Sequence, residues 1–376
     1  MTEGTEVVVL GAGIAGCAAA YYLAREGVRV KVVEREAPAS GASGYAVGLL
    51  NPLTGTGIPG PLSAFAEAAF KVHKGLWGEL EAEAGLDIQA RTAPHLQLCF
   101  TEDDVRAQQT CMERWAATEG FAAEWLEAGD VLGLEPRISK DVLGAVLLQE
   151  VGLVDSRLLT IAMLKAAVGL GAELVNDEVT GLRTEGSRIA GVRLVVGSID
   201  CDAAVVALGP WAGEASRWLG VNVPVGPLKG EIIHLEAPAA PLPYHMAGPG
   251  QVVQKADGRV WLAATEEEAG FDLLTTTGAR ETLLERGARM VPSLLELRVV
   301  GHTACLRPVS PDRLPVLGKA PGWENGYLAT SAEKKGILIG PAMGRAVADL
   351  VVRGETLLPV APLAPERFAG EGRGVR

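Results

Sequence analysis

The sequence predicts an α/β chain, α+β overall, in which both chain ends build one parallel-sheet domain and a β-rich domain is inserted between them. Three observations predict this. Residues 6–33 read as strand, glycine turn, helix and strand. Residues 179–207 hold three short apolar segments with turns near Gly186 and Gly197. Residues 327–352 return as a short strand followed by a helix that opens at Gly336.

Each element has a local reason. Residues 6–10 (EVVVL) form a short apolar run, the mark of a buried parallel strand. Residues 17–26 (CAAAYYLARE) carry small and apolar residues at helical spacing, and Gly27 stops them. Residues 28–33 (VRVKVV) are the second strand, closed by Glu34. Residues 37–60 are rich in Gly, Ala, Ser and Pro, which suits either a loop or backbone that lies close to a ligand. Helices are expected over 63–84, 103–119 (with Thr101 or Asp103 as N-cap), 156–169 and 278–290. Strands are expected over 96–100, 173–175, 230–235 and 260–264. Residues 179–184, 188–196 and 199–207 read as a meander, and 306–318 is Pro-rich and non-helical. The expected division gives 1–85, 146–225 and 305–376 to the nucleotide domain. It gives 86–145 and 226–304 to the inserted substrate domain.

The chain has 376 residues, enough for two or three domains and a core that needs no disulfide staple. Its 34 basic and 46 acidic residues leave a net charge of −12, which disfavours nucleic acid as a partner. A small anionic substrate stays open, because one buried arginine outweighs a distant net charge. The cysteines Cys17, Cys99, Cys111, Cys201 and Cys305 are odd in number and make no C-x-x-C. That argues against a disulfide framework or a zinc ribbon and fits a reducing, cytoplasmic setting. The acidic start at 1–6 does not read as a secretory signal, and no apolar stretch of ~18 residues predicts a membrane span. No spacing suggests a metal site. The oligomeric state is open, a homo-oligomer included.

Gly11, Gly13 and Gly16 form G-x-G-x-x-G between a strand and a helix. Gly11 permits the turn, Gly13 admits a pyrophosphate, and Gly16 lets helix meet strand. The free N–H groups at the helix start attract phosphate. Glu34 can accept both ribose hydroxyls, and its charge would repel a 2′-phosphate. The unit is therefore Rossmann-like. FAD is favoured over NAD by three features: the fingerprint opens the sequence, the segment 40–52 follows the first acid closely, and the Gly-started helix returns at the end. A single fingerprint predicts a flavin reduced by substrate directly. An NAD-dependent dehydrogenase is the remoter alternative.

Five pieces in order, GAGIAG with Glu34, 41–50 (GASGYAVGLL), 207–212 (ALGPWA), 306–318 (LRPVSPDRLPVLG) and 335–349 (KGILIGPAMGRAVAD), resemble the FAD-dependent D-amino-acid oxidase superfamily, in particular glycine and sarcosine oxidases. The resemblance implies non-covalent FAD held by Gly11, Gly13, Ile14, Ala15, Gly16, Glu34 and Arg35. It places Ala42, Ser43, Ala46, Gly48, Leu49 and Leu50 along the pyrophosphate and flavin. It gives Val179 to the adenine, and Gly209 and Trp211 to the ribityl or adenosine side. It sets Lys335, Gly336, Ile337 and Leu338 at the flavin pyrimidine ring, where a helix N-terminus would stabilise an anionic reduced ring. Arg307 matches the arginine that holds a substrate carboxylate, a task suited to its two-pronged guanidinium.

The implied activity is oxidation of the Cα–N bond of a small amino acid or N-substituted glycine. Hydride passes to flavin N5, the imine hydrolyses, and dioxygen or another acceptor takes the electrons. Alternatives are a dehydrogenase serving a quinone or carrier, and a flavoprotein working within a hetero-oligomer. Residues 229–235 (KGEIIHL) and 312–315 (DRLP) also resemble the oxidase half of the bifunctional tRNA wobble-uridine modification enzyme, whose substrate carries a carboxymethylamine. Some positions depart from glycine oxidases. Gln251 stands at a tyrosine position, with Tyr244 nearby as a substitute. Ser331-Ala332 replaces Gly-His, and Lys334 replaces an arginine. Glu266 stands where a methionine lines the pocket, and reads as a solvated loop acid or an amine-binding carboxylate. His234 and His245 read as structural rather than as pocket bases.

Overall fold

Alternation within the first strand sets the layers. Successive side chains of a strand point to opposite faces. In Glu6–Leu10, Val7 and Val9 join a core with helices, while Val8 and Leu10 join a core on the other face. The structure is a computed structural model that describes residues 5–369. Residues 1–4, part of the start read against a secretory signal, lie outside the described residues.

Among the described residues, a six-stranded sheet runs in the order Val316–Lys319, Gly326–Thr330, Ala203–Val206, Glu6–Leu10, Arg29–Glu34, Glu173–Asn176. All its pairings are parallel except that of the edge strand Val316–Lys319. The helices Ile14–Arg25, Ser63–Ala84, Ser156–Gly169 and Gly336–Arg353 cover one face. A meander of Val179–Glu185, Arg188–Leu194 and Ser198–Asp200 covers the other.

The expected single strand 199–207 is in fact two strands in two sheets. Asp202 makes the break. Its carboxylate accepts from Glu6 N at 2.9 Å and its own N–H donates to Glu6 O at 2.8 Å. These bonds turn the chain out of the meander and start Ala203–Val206 beside the first strand.

Chain ends meet through glycine. A Cβ on Gly344 of the last long helix would lie 2.4 Å from Ala18 Cβ and Ala19 N of the first helix. One on Gly340 would lie 2.7 Å from Ile14. The two backbones can cross this closely only because those side chains are missing. Pro341, inside the same helix, has no N–H to give to the carbonyl four residues earlier. That carbonyl, Ile337 O, is served instead by His73 Nε2 at 2.8 Å, with Trp77 Nε1 on His73 Nδ1 at 3.4 Å. Burial lowers the His73 pKa to about 4, so the ring stays neutral.

A second sheet has eight strands: Val299–Val309, Gly226–Leu235, Val260–Ala263, Gln251–Gln254, His245–Ala247, His95–Cys99, Gly144–Leu148, Ala123–Glu127. Its core gathers Leu96, Leu98, Ile233, Met246 and Leu262. The strands at 123–127, 144–148, 245–247 and 251–254 were not expected, being short and separated by turns. Two expected boundaries fall inside strands. The 304/305 boundary lies within Val299–Val309, which pairs along its length with Gly226–Leu235, and 145/146 lies within Gly144–Leu148. All five cysteines are free. No helix among the described residues is long and apolar enough to cross a membrane.

Candidate active site

A cavity of about 1090 Å³ runs between the two sheets. Its floor at one end is the glycine turn. Gly11 has φ +101°, and a Cβ there would meet Ala207 O at 2.6 Å. Gly13, Ile14 and Ala15 line the cavity, and Ser43 Oγ accepts the Ile14 N–H at 2.9 Å. Gly16 does not line it. A Cβ there would meet Gly11 O at 2.0 Å, so Gly16 acts by letting helix and turn touch.

Glu34 faces the same end. Its two oxygens accept Ala12 N at 2.8 Å and Glu36 N at 3.0 Å. A carboxylate has about four lone-pair sites, so acceptor capacity remains for hydroxyls. Arg35 lies over the Trp211 ring at 4.4 Å, and Phe271 stacks on that ring at 5.6 Å. Val179 and Gly209 line the cavity beside them.

Ala42, Ala46, Gly48 and Leu49 form one wall. Leu50 does not; strand alternation turns it from the cavity into the helical core, where it is fully buried. At the other end, Gly336, Ile337 and Leu338 open the last long helix onto the cavity. Lys335 precedes them, half-buried, with Nζ donating to Asn51 O at 2.8 Å. Burial lowers its pKa to about 8.

The strand Val299–Val309 brings Arg307 to the opposite wall. Its Nη1 donates to Thr265 O at 3.0 Å, and among the described residues no carboxylate pairs with it. The guanidinium rests on Gly230, where a Cβ would lie 2.2 Å from Nη2.

Lys334 also lines the cavity, with Nζ paired to Glu266. Glu266 is an exposed loop acid, as one of its two readings had it, and it is ion-paired: it bonds Arg313 as well, at 2.7 Å. Gln251 lines the cavity. Tyr244 does not. Tyr244 and Met246 alternate onto the core face of the eight-stranded sheet, which leaves Ala247 toward the cavity. His234 bonds Thr303 Oγ1 at 2.8 Å, and neither it nor buried His245 lines the cavity.

Sequence reasoning missed His95 and Gln97, which line the cavity. The signal was there: Leu96 and Leu98 point into the core, so the residues between and before them face the other way. Burial lowers the His95 pKa to about 4, and its Nδ1 has no partner.

Comparison with known proteins places this geometry. A family model described as FAD dependent oxidoreductase matches residues 6–350. A glycine oxidase of Pseudomonas aeruginosa is 31% identical over 363 residues, 96% of this chain and 98% of that one. A glycine oxidase of Geobacillus kaustophilus is 30% identical over 375 residues, 99% of each chain. The crystal structure of the G. kaustophilus glycine oxidase superposes with a TM-score of 0.91, covering 100% of both chains at 29% identity. The crystal structure of iminodiacetate oxidase from Chelativorans sp. BNC1 gives 0.88 at 27% identity, covering 96% of this chain and 98% of that one.

Proposed function

The chain belongs to the FAD-dependent oxidoreductase family, and on that premise we propose that it oxidises the Cα–N bond of a small amino acid or N-substituted glycine whose carboxylate is held by Arg307. The residues present fit the cofactor. The turn at Gly11 and Gly13 leaves space no Cβ occupies, the first helix points its N-terminus at that space, and Glu34 keeps free acceptor sites. The cavity volume lies just above the ~300–1,000 Å³ range of small-molecule sites, room for a long dinucleotide and a small substrate. When bound, FAD supplies the acceptor for the Cα hydride, and the imine product hydrolyses in water.

The chain's own residues bind and orient. Arg307 fixes the carboxylate with parallel hydrogen bonds, which settles where Cα lies. The start of the last helix, at Gly336, presents its partial positive charge to the far end of the cavity. His95 stays neutral and adds no competing charge beside Lys335. No lining side chain has to act as a strong base, because the substrate amine can lose its proton to water before oxidation.

The observation that carries this reading is a guanidinium on the cavity wall whose only polar partner among the described residues is a backbone carbonyl. The test is anaerobic mixing of the FAD-loaded protein with glycine, sarcosine, D-amino acids, L-proline and carboxymethylamines, read by loss of flavin absorbance. Carboxylated amines should bleach it, and Arg307→Met should raise their KM about thirtyfold or more with FAD retained, since losing one partner of a desolvated charge pair costs ~2–5 kcal/mol. Equal bleaching by methylamine and sarcosine would overturn the reading.

A further inference from the structure

An alternating ionic chain crosses the cavity wall. Lys334 pairs with Glu266, Glu266 with Arg313 at 2.7 Å, and Arg313 with Glu333. Two cations and two anions cancel. Lys334, Glu266 and Glu333 all line the cavity. Thr265, the residue before Glu266, gives its carbonyl to Arg307. One dipeptide therefore holds the free guanidinium by its backbone and the lysine by its side chain. Burial alone would raise the Glu266 pKa, but the bonds from Lys334 and Arg313 hold it below the ordinary carboxylate range, so it is anionic at neutral pH. A ligand with a second carboxylate would meet that anion before it reached the lysine.

We infer that Glu266 is a specificity residue: by occupying Lys334 it restricts the site to amines that carry a single carboxylate. The inference rests on Arg307 being the carboxylate anchor. It adds that Lys334, another cation lining the cavity, is closed to ligand.

Non-oxidisable acids test it on the FAD-loaded protein. Acetate, malonate and succinate are titrated and followed by calorimetry and by the perturbation of flavin absorbance. Glu266→Gln still bonds Arg313 but frees the lysine. It should tighten malonate or succinate roughly tenfold to hundredfold, the worth of a hydrogen bond to a charged group, and change acetate less than about threefold. Adding Lys334→Met should erase the gain. Lys334→Gln alone should leave acetate and both diacids within about threefold of wild type, because the amine is already engaged. An unchanged diacid-to-acetate ratio in Glu266→Gln overturns the inference, as does a gain that survives Lys334→Met. So does loss of acetate binding in Lys334→Gln. Arg307→Met separates the two readings: if it binds acetate as wild type does, the anchor itself is wrong, whatever Glu266 does.

Discussion

Adding one methyl group at Gly230 should disarm Arg307 without touching it. Gly230 lies in the strand Gly226–Leu235, opposite Cys305 of the neighbouring strand. A Cβ there would lie 2.2 Å from Nη2 and 2.4 Å from Cζ and Nη1 of Arg307. Ordinary contact begins near 3.4 Å, so the guanidinium must move by about 1.2 Å. The obstructing atoms are the far end of a flexible side chain, so the arginine yields and the sheet does not. A misplacement of ~1 Å costs about a hundredfold in a site that depends on orientation, or ~2.7 kcal/mol. Gly230→Ala should therefore raise KM for every carboxylated amine about a hundredfold. It should keep FAD and melt within a few degrees of wild type. Stopped-flow reduction under nitrogen gives the KM, and a thermal melt gives the control. Gly230→Ala kinetics within threefold of wild type, alongside a severe Arg307→Met, would refute the reasoning that seats the guanidinium on this glycine.

Three further outcomes are expected. His73→Leu leaves the Ile337 carbonyl with neither an imidazole nor a helix N–H and should cost ~1–3 kcal/mol in urea unfolding. Pro341→Ala in that background restores the missing donor and should recover most of the loss; an identical deficit with proline or alanine at 341 rejects the idea. In FAD-free protein, Lys335 has a pKa of about 8 against its ordinary 10.5, so the unfolded chain binds more protons than the folded one between those values. Stability therefore rises with pH across that window. Lys335→Met should be the more stable protein at pH 7, by up to ~3 kcal/mol less the lost bond to Asn51, and should lose that lead by pH 10; a pH-independent difference between the two would contradict it. Gly344→Val meets backbone atoms of Ala18 and Ala19 that cannot step aside, and should cost more than ~3 kcal/mol and weaken FAD retention in a melt and a dialysis assay; a wild-type melting point would show that the helices do not cross there.

Legibility followed sequence separation. The glycine-turn end of the cavity was readable because its parts are contiguous: Gly11 and Gly13 sit in the turn, Gly16 in the first turn of the helix, and Glu34 ends the next strand. Helix bounds at 63–84 and 156–169 were plain from their periodicity. The opposite wall was not readable residue by residue, because register between distant strands assembles it. Arg307 finds Thr265 and Gly230, and Lys334 finds Glu266, only after four separate segments have come together. Within that wall an error of one position reverses the answer, since neighbouring strand residues face opposite ways. That is why Tyr244 belongs to the core while Ala247 and Gln251 belong to the cavity. The bond from His73 to the Ile337 carbonyl had no sequence signature, since nothing in the sequence says which distant side chain serves the carbonyl that Pro341 leaves without a donor.

The crossing of the first and last long helices has a consequence for how the protein is made. The ribosome releases the glycine turn at 11–16 long before the helix Gly336–Arg353 that seats against the first helix. Until Gly340 and Gly344 emerge, the small-residue face around Ala18 stays bare to solvent and to other nascent chains. The cavity lacks the wall at Gly336, Ile337 and Leu338 until that helix has been made, so a chain that stalls short of Gly336 should fail to retain FAD.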